Sequence, residues 1–176
     1  TVNILGTQKL LEAIKTSQTK PRLIIASSSE VYGPHSEPVL KEDMNLVIEE
    51  AAKNRWHYAV SKLADESFAL AFYKKFGVPS TSIRLFNTIG PRQTGRYGMV
   101  VPRFVARAVK NEPITVFGEG NQTRSFCDVR DTVVMLDLIA NNEATIGEII
   151  NVGNDREISI KDLAMLVKTL AKSRSK

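Results

Sequence analysis

Apolar residues change their spacing repeatedly along this chain, and each change predicts an element. Leu10, Leu11 and Ile14 recur at helical spacing between Thr7 and Thr19, Pro21 blocks continuation, and Leu23-Ile24-Ile25-Ala26 reads as a buried strand. Residues 33 to 55, with Gly33, Pro34, Pro38 and mixed charges, predict a long loop with one short helical turn. From Trp56 to Phe76 a stripe of Val60, Leu63, Ala64, Phe68 and Ala71 predicts a long amphipathic helix, stopped by Gly77 before Pro79. Then follow a strand at 81–86, a Gly-rich loop to Gly98, a helix over 100–110 and a short strand over 114–117. A strand near 125–129, a helix to Asn141, a strand at 148–152 and a helix from Ser159 complete the series. Strands alternating with helices predict an α/β fold with a mostly parallel sheet, whose ligands collect at the carboxyl ends of its strands.

Composition adjusts this picture little. The chain has 176 residues, enough for one sizeable core. Its single cysteine, Cys127, allows no internal disulfide, and with two histidines it furnishes no structural zinc site, so a reducing compartment and no metal are expected. No apolar run reaches the roughly 18 residues of a membrane span and no signal-peptide layout opens the chain, which makes cytoplasmic the default. The net charge of +5 draws on the tail and on Arg92, Arg96, Arg103, Arg107 and Lys110. Only Tyr97 and Phe104 lie among those five cations, so a nucleic-acid patch is disfavoured; a solvated helix face mixed with an anion site for a phosphorylated small molecule fits better.

Chemistry-bearing residues gather where the pattern places strand ends. Ser27, Ser28, Ser29 and Glu30 follow the 23–26 strand, putting hydroxyls and a carboxylate at the ligand edge, although taken alone a Ser-rich turn closing a strand is the plainer reading. Tyr58 and Lys62 stand four apart, so one helix face presents a phenol beside an ammonium. At about 4 Å and an effective dielectric of about 20, that ammonium favours phenolate by some 4 kcal/mol, which suits a phenol that accepts a proton from a sugar hydroxyl.

In combination, Ser-Ser-Ser-Glu-Val-Tyr-Gly over 27–33, Tyr58-Ala-Val-Ser-Lys62 and Arg84-Leu-Phe-Asn-Thr-Ile-Gly-Pro-Arg92 resemble the extended short-chain dehydrogenases/reductases, the NAD-dependent epimerase/dehydratase family. Further resemblance runs through Gly98 to Phe104, Val116 to Gly118, Gln122 to Phe126, Asp128 to Asp131 and Asn151 to Gly153. The resemblance implies a partial Rossmann-type doubly wound sheet. Residues 1–98 would be the C-terminal part of the NAD-binding domain. Residues 99–176 would form a smaller region that binds a nucleotide sugar, with some elements returning to the main sheet.

It also implies roles. Tyr58 would be the acid/base, Lys62 would hold the nicotinamide ribose and favour the phenolate, and Ser28 would hydrogen-bond the reacting sugar oxygen. Asn3, Ser27 and Phe86 would lie at the cofactor, Asn3 having a helix cap as its plainer reading. Asn87, Arg92, Val101, Phe117 and Arg124 would line the UDP-sugar site, with core packing the plainer reading of Val101 and Phe117. A guanidinium at 124 suits a diphosphate.

Ser29 before Glu30 departs from the acid pair of the family's 4,6-dehydratases and disfavours dehydration. Overall motif resemblance puts a UDP-glucose 4-epimerase first and a UDP-glucuronate decarboxylase, with Glu30 assisting, close behind. Arg55-Trp56 resembles the bacterial decarboxylases of lipid A modification. The alternative of another class is a non-catalytic sugar-nucleotide-binding module. The Gly-rich dinucleotide fingerprint is absent from these residues, since Gly118-Glu-Gly120 opens no helix; the expectation is a fragment whose remaining cofactor site lies in an N-terminal section, active as a homodimer when complete.

Overall fold

The computed structural model describes residues 2–37, 39–50, 56–95 and 99–176. In chain order the elements are α1 (Asn3–Thr16), β1 (Leu23–Ser28), a 3-10 turn (Ser29–Tyr32), α2 (Trp56–Phe76), β2 (Ser80–Leu85), β3 (Thr88–Ile89) and α3 (Val100–Val109). There follow β4 (Thr123–Ser125), β5 (Cys127–Asp128), α4 (Val129–Ala140), β6 (Ile149–Val152), β7 (Glu157–Ser159) and α5 (Ile160–Leu170). The α/β architecture expected from the alternation is the one that forms. Pro38, Arg55, Arg96, Tyr97 and Gly98, which entered the sequence reading, lie outside the described residues. Among the described residues no helix is long and apolar enough to cross a membrane.

Two compact units make up the chain: 1–86 with 133–152, and 87–132 with 153–176. The chain enters the second unit after Phe86, ahead of the expected boundary at 98, because Asn87, Thr88 and Ile89 already pair with the strand segment at 125–128.

The first unit is built on a parallel sheet of order β1-β2-β6, in register from Leu23 opposite Ser80 to Ser28 opposite Leu85. Strand β2 is central, and Ser80 to Arg84 are all buried despite their polar composition. Alternation explains how. On one face the Ser80 hydroxyl donates to the Ala69 carbonyl of α2 at 3.1 Å and Arg84 reaches Glu66 of the same helix. On the other face Thr81 donates to the Thr145 carbonyl, while Ile83 and Leu85 join Ile139, Val152, Met135 and Leu136 of α4 and β6. A second cluster, Leu11, Ile14 and Val78 with Phe68, Phe72 and Phe76, locks α1 against the far half of α2.

Helix α2 has the bounds that the apolar stripe predicts, but a different buried face. Trp56, Ala59, Asp65, Glu66 and Ala69 point inward, whereas Val60 is 41% exposed and Ala71 is exposed. The stripe marks the flank shared with α1, where Phe68 packs; the face on the sheet carries small residues and two carboxylates.

Gly33 follows the 3-10 turn with φ +70°, a conformation that favours glycine, and a Cβ there would meet the Val47 carbonyl oxygen at 1.8 Å. The loop returns at this point, and the Val47 N–H donates to the Tyr32 carbonyl at 3.1 Å.

In the second unit α3 and α5 enclose Phe104, Ala108, Ile160, Leu163 and Val167, with Ile114, Val116, Phe126 and Ile158 packed around them. Helix α5 begins where Ser159 predicts: its Oγ accepts from the Asp162 N–H at 3.0 Å and donates to the Asp162 carboxylate at 2.6 Å. Strands β3 and β5 pair in parallel and β4 and β7 antiparallel. The strand expected over 114–117 does not form. Ile114 and Val116 bury by packing on the helices, and the Ile114 N–H bonds to the Lys176 carbonyl instead of a ladder. The strand expected near 125–129 is broken at Phe126 into β4 and β5, and helix α4 already begins at Val129.

Candidate functional site

Each unit holds part of the predicted set. At the carboxyl end of β1, the Ser28 Oγ accepts from the Glu30 N–H at 3.2 Å, so this hydroxyl caps the 3-10 turn that carries Glu30. One of its two lone pairs is used and its proton has no acceptor among the described residues, which leaves a donor for a ligand oxygen. Glu30 is exposed. Helix α2 packs along both β1 and this turn.

Tyr58 and Lys62 occupy the first two turns of α2. The phenol is 41% exposed and borders a hollow lined by Val2, Asn3, Ile4, His57 and Ser61. Asn3 does not cap α1, whose N-cap is Val2; its amide donates to the Ser61 Oγ at 2.9 Å and Ser61 donates to the Tyr58 carbonyl at 2.8 Å. Asn3 thus braces the backbone of the tyrosine. The Lys62 Nζ stands 6.0 Å from the centre of the Tyr58 ring and 3.9 Å from the Asp65 Oδ2. The ammonium thus has both the Tyr58 ring and the Asp65 carboxylate near it.

Behind these residues lies a network that sequence reasoning missed. Ser27 is buried and its hydroxyl donates to Glu66, so any ligand contact from Ser27 falls to its backbone. Glu66 receives three further bonds from Arg84, Nε to Oε1 at 3.1 Å and to Oε2 at 3.3 Å and Nη2 to Oε2 at 2.8 Å. Burial by itself would lower the Arg84 pKa, but hydrogen bonds and charge from Glu66 and Tyr32 hold it above the ordinary value. The guanidinium also lies over the Tyr32 ring, 4.6 Å from its centre. The Tyr32 hydroxyl donates to Asn151 Oδ1 at 2.7 Å, and Asn151 donates to the Leu40 carbonyl and to Glu42 Oε1. Phe86 closes this group, 6.2 Å from the Tyr32 ring. The network ties β1, α2, β2, β6 and the 40–47 loop into one support for the Ser28–Glu30 turn. A carboxylate four residues after Lys62, and an arginine inside a strand, were the available signals.

The second unit contains a cavity of about 340 Å³ whose walls include Asn87, Val101, Phe117 and Arg124. Four of the five predicted nucleotide-sugar residues are thus brought together. Arg92 is not on that wall; it sits in a turn with φ +69°. Asn87 donates to the Ser125 carbonyl at 2.9 Å and Arg124 to the Thr123 carbonyl at 2.7 Å. Arg103, read only as one of several cations, also lines the cavity, its guanidinium 5.8 Å from the centre of the Phe117 ring. Phe117 is 67% exposed, so core packing does not account for it. Two guanidiniums, exposed aromatic surface and the amides of Gln93 and Gln122 suit a ligand with an anionic part and a flat ring.

Comparison with known proteins gives the same direction. The profile of the NAD dependent epimerase/dehydratase family matches residues 1–153. A UDP-N-acetyl-alpha-D-glucosaminuronate decarboxylase of Bacillus cytotoxicus is 39% identical over 175 residues, 99% of this chain and 53% of that protein. UDP-glucuronic acid decarboxylase 1 of Xenopus tropicalis is 37% identical over 172 residues, 97% of this chain and 39% of that protein. The UDP-glucuronic acid 4-epimerase of Bacillus cereus, solved with UDP-glucuronic acid and NAD, matches with a TM-score of 0.82 at 30% identity over 99% of this chain and 52% of that one. The chain spans about half the length, or less, of the curated relatives it matches.

Proposed function

Because the chain belongs to the NAD dependent epimerase/dehydratase family, we propose that it carries the catalytic residues for oxidation of a UDP-hexuronic acid at C4, followed by decarboxylation. The observation that carries this reading is the placing of an exposed Tyr58 phenol and Lys62 on adjacent turns of one helix, beside a hollow. The donors there suit the nicotinamide-ribose end of NAD, with Lys62 and Tyr58 as the residues that would hold it. NAD, when bound, supplies the acceptor for the C4 hydride. Ser28 donates to the C4 oxygen, and Tyr58 takes the hydroxyl proton as the carbonyl forms. With a ketone at C4 the C6 carboxylate becomes a β-keto acid, so the C5–C6 bond breaks, carbon dioxide leaves, and its electron pair passes to the C4 oxygen. Glu30, exposed on the turn that Ser28 caps, would assist protonation at C5. Turnover would be redox-neutral, since NAD would give the hydride back, and Tyr58 would return the proton to the C4 oxygen. The cavity in the second unit is assigned to the UDP portion, Arg124 and Arg103 to its phosphates.

Motif resemblance by itself puts epimerisation first. The 39% and 37% identities to decarboxylases weigh toward decarboxylation, and the common uronate in the names of all three relatives supports an acidic sugar. A C4 epimerase is the second reading, favoured by the likeness to the Bacillus cereus enzyme. Incubation of the full chain with NAD and UDP-glucuronate, UDP-N-acetylglucosaminuronate or UDP-glucose, followed by NMR of the products, separates the readings. Carbon dioxide with a UDP-pentose is the expected outcome. An inverted C4 with the carboxylate retained supports epimerisation, and nucleotide binding without conversion supports a non-catalytic binding module.

A further inference from the structure

Asp65 is 1% exposed on the inward face of α2, yet it takes no part in the Glu66–Arg84 pair beside it. Its Oδ2 lies 3.9 Å from the Lys62 Nζ, and its buried Oδ1 accepts no hydrogen bond among the described residues. Lys62 is itself only 17% exposed at the side chain. A carboxylate in such a place is costly unless it meets a counter-charge, and apart from Glu66, which Arg84 matches, this face buries the apolar or small Trp56, Ala59 and Ala69. An ion pair made only to steady a helix works as well at the surface. Among the described residues the one charged group that Asp65 reaches is the ammonium of Lys62, and Tyr58, Lys62 and Asp65 form a file along one side of the helix, at i−4, i and i+3.

We infer that Asp65 is a positioning residue for Lys62. Its carboxylate tethers an ammonium that a flexible four-carbon stem would otherwise let swing into water, and so fixes the charge between the phenol and the ribose that it is to hold. The inference rests on the proposed role of Lys62, and Asp65 acts only through that lysine.

A double-mutant cycle in the full chain tests it. Asp65→Asn keeps the shape and removes the charge; turnover falls about tenfold and the KM for NAD rises, whereas adding Asp65→Asn to Lys62→Met causes no further loss. A second readout needs no activity. Lys62→Met leaves Asp65 buried without its counter-charge and lowers the melting midpoint by about 5 °C, and Asp65→Asn in that background restores it. Wild-type turnover in Asp65→Asn, or losses that simply add, overturns the inference. If Asp65→Asn alone does not fold, the melting comparison between Lys62→Met and the double variant decides, and failure to restore the midpoint overturns it. Turnover that survives Tyr58→Phe sinks the underlying reading instead, and leaves the melting result standing.

Discussion

The two units treat charge in opposite ways. In the first, Glu66 and Arg84 are buried, matched to each other with three hydrogen bonds, and flanked by the Ser27 hydroxyl and the Tyr32 ring. In the second, Arg103 and Arg124 stand at the wall of a cavity, and among the described residues neither makes an ion pair; Arg103 lies near the Phe117 ring and Arg124 donates to a backbone carbonyl. A matched buried pair fixes geometry and has little left to offer a ligand. An exposed, unmatched cation contributes little to the fold and keeps its field for an anion.

The sharpest way to break this comparison lies in neither set of charges. Tyr58→Phe removes the proton acceptor proposed for the first unit, and turnover is expected to fall by roughly 10²–10⁴-fold with UDP affinity unchanged in calorimetry. Next comes Glu66→Gln, which leaves Arg84 buried with its counter-charge gone; a loss of about 3–5 kcal/mol, seen as a melting midpoint lowered by roughly 10 °C, is expected. Arg124→Met should do the reverse, weakening UDP binding about tenfold while moving the midpoint by no more than about 2 °C. If both substitutions act on stability alike, the contrast between the units is lost.

The smallest effect concerns a surface pair. Hydrogen bonds from the Arg130 side chain, then from its backbone N–H, hold the Asp128 carboxyl at about 2 against an ordinary 3.8. A depressed carboxyl contributes above its unfolded value and loses that contribution as pH falls through its folded one, here from about 4 toward 2. In Arg130→Ala the Asp128 titration followed by NMR should move up toward 3.8, with almost no change in stability near neutral pH.

Sequence alone revealed the helices better than what they bury. The bounds of α2 followed from Trp56, Phe76 and Gly77, but its inward face did not, because Asp65 and Glu66 acquire partners only when β2 brings Arg84 beside them in the folded sheet. Periodicity weighs apolar residues and therefore found the α1 flank. Strands β3 and β7, of two and three residues, are too short to show any period, and the 114–117 segment has a strand's composition without a strand to pair with. Among the candidate site residues, Asn87, Val101, Phe117 and Arg124 converge because motif order carried three-dimensional information; Arg103 was missed because one arginine among several on a basic stretch looks like solvated surface.

The Glu66–Arg84 pair has a consequence for how this protein can change over generations. Losing either partner strands the other's charge, while replacing both by apolar residues of similar volume can be close to neutral. Positions 66 and 84 therefore constitute a single heritable unit: a lineage crosses from one viable state to another only by two linked changes, and homologues should show the two positions varying together or not at all.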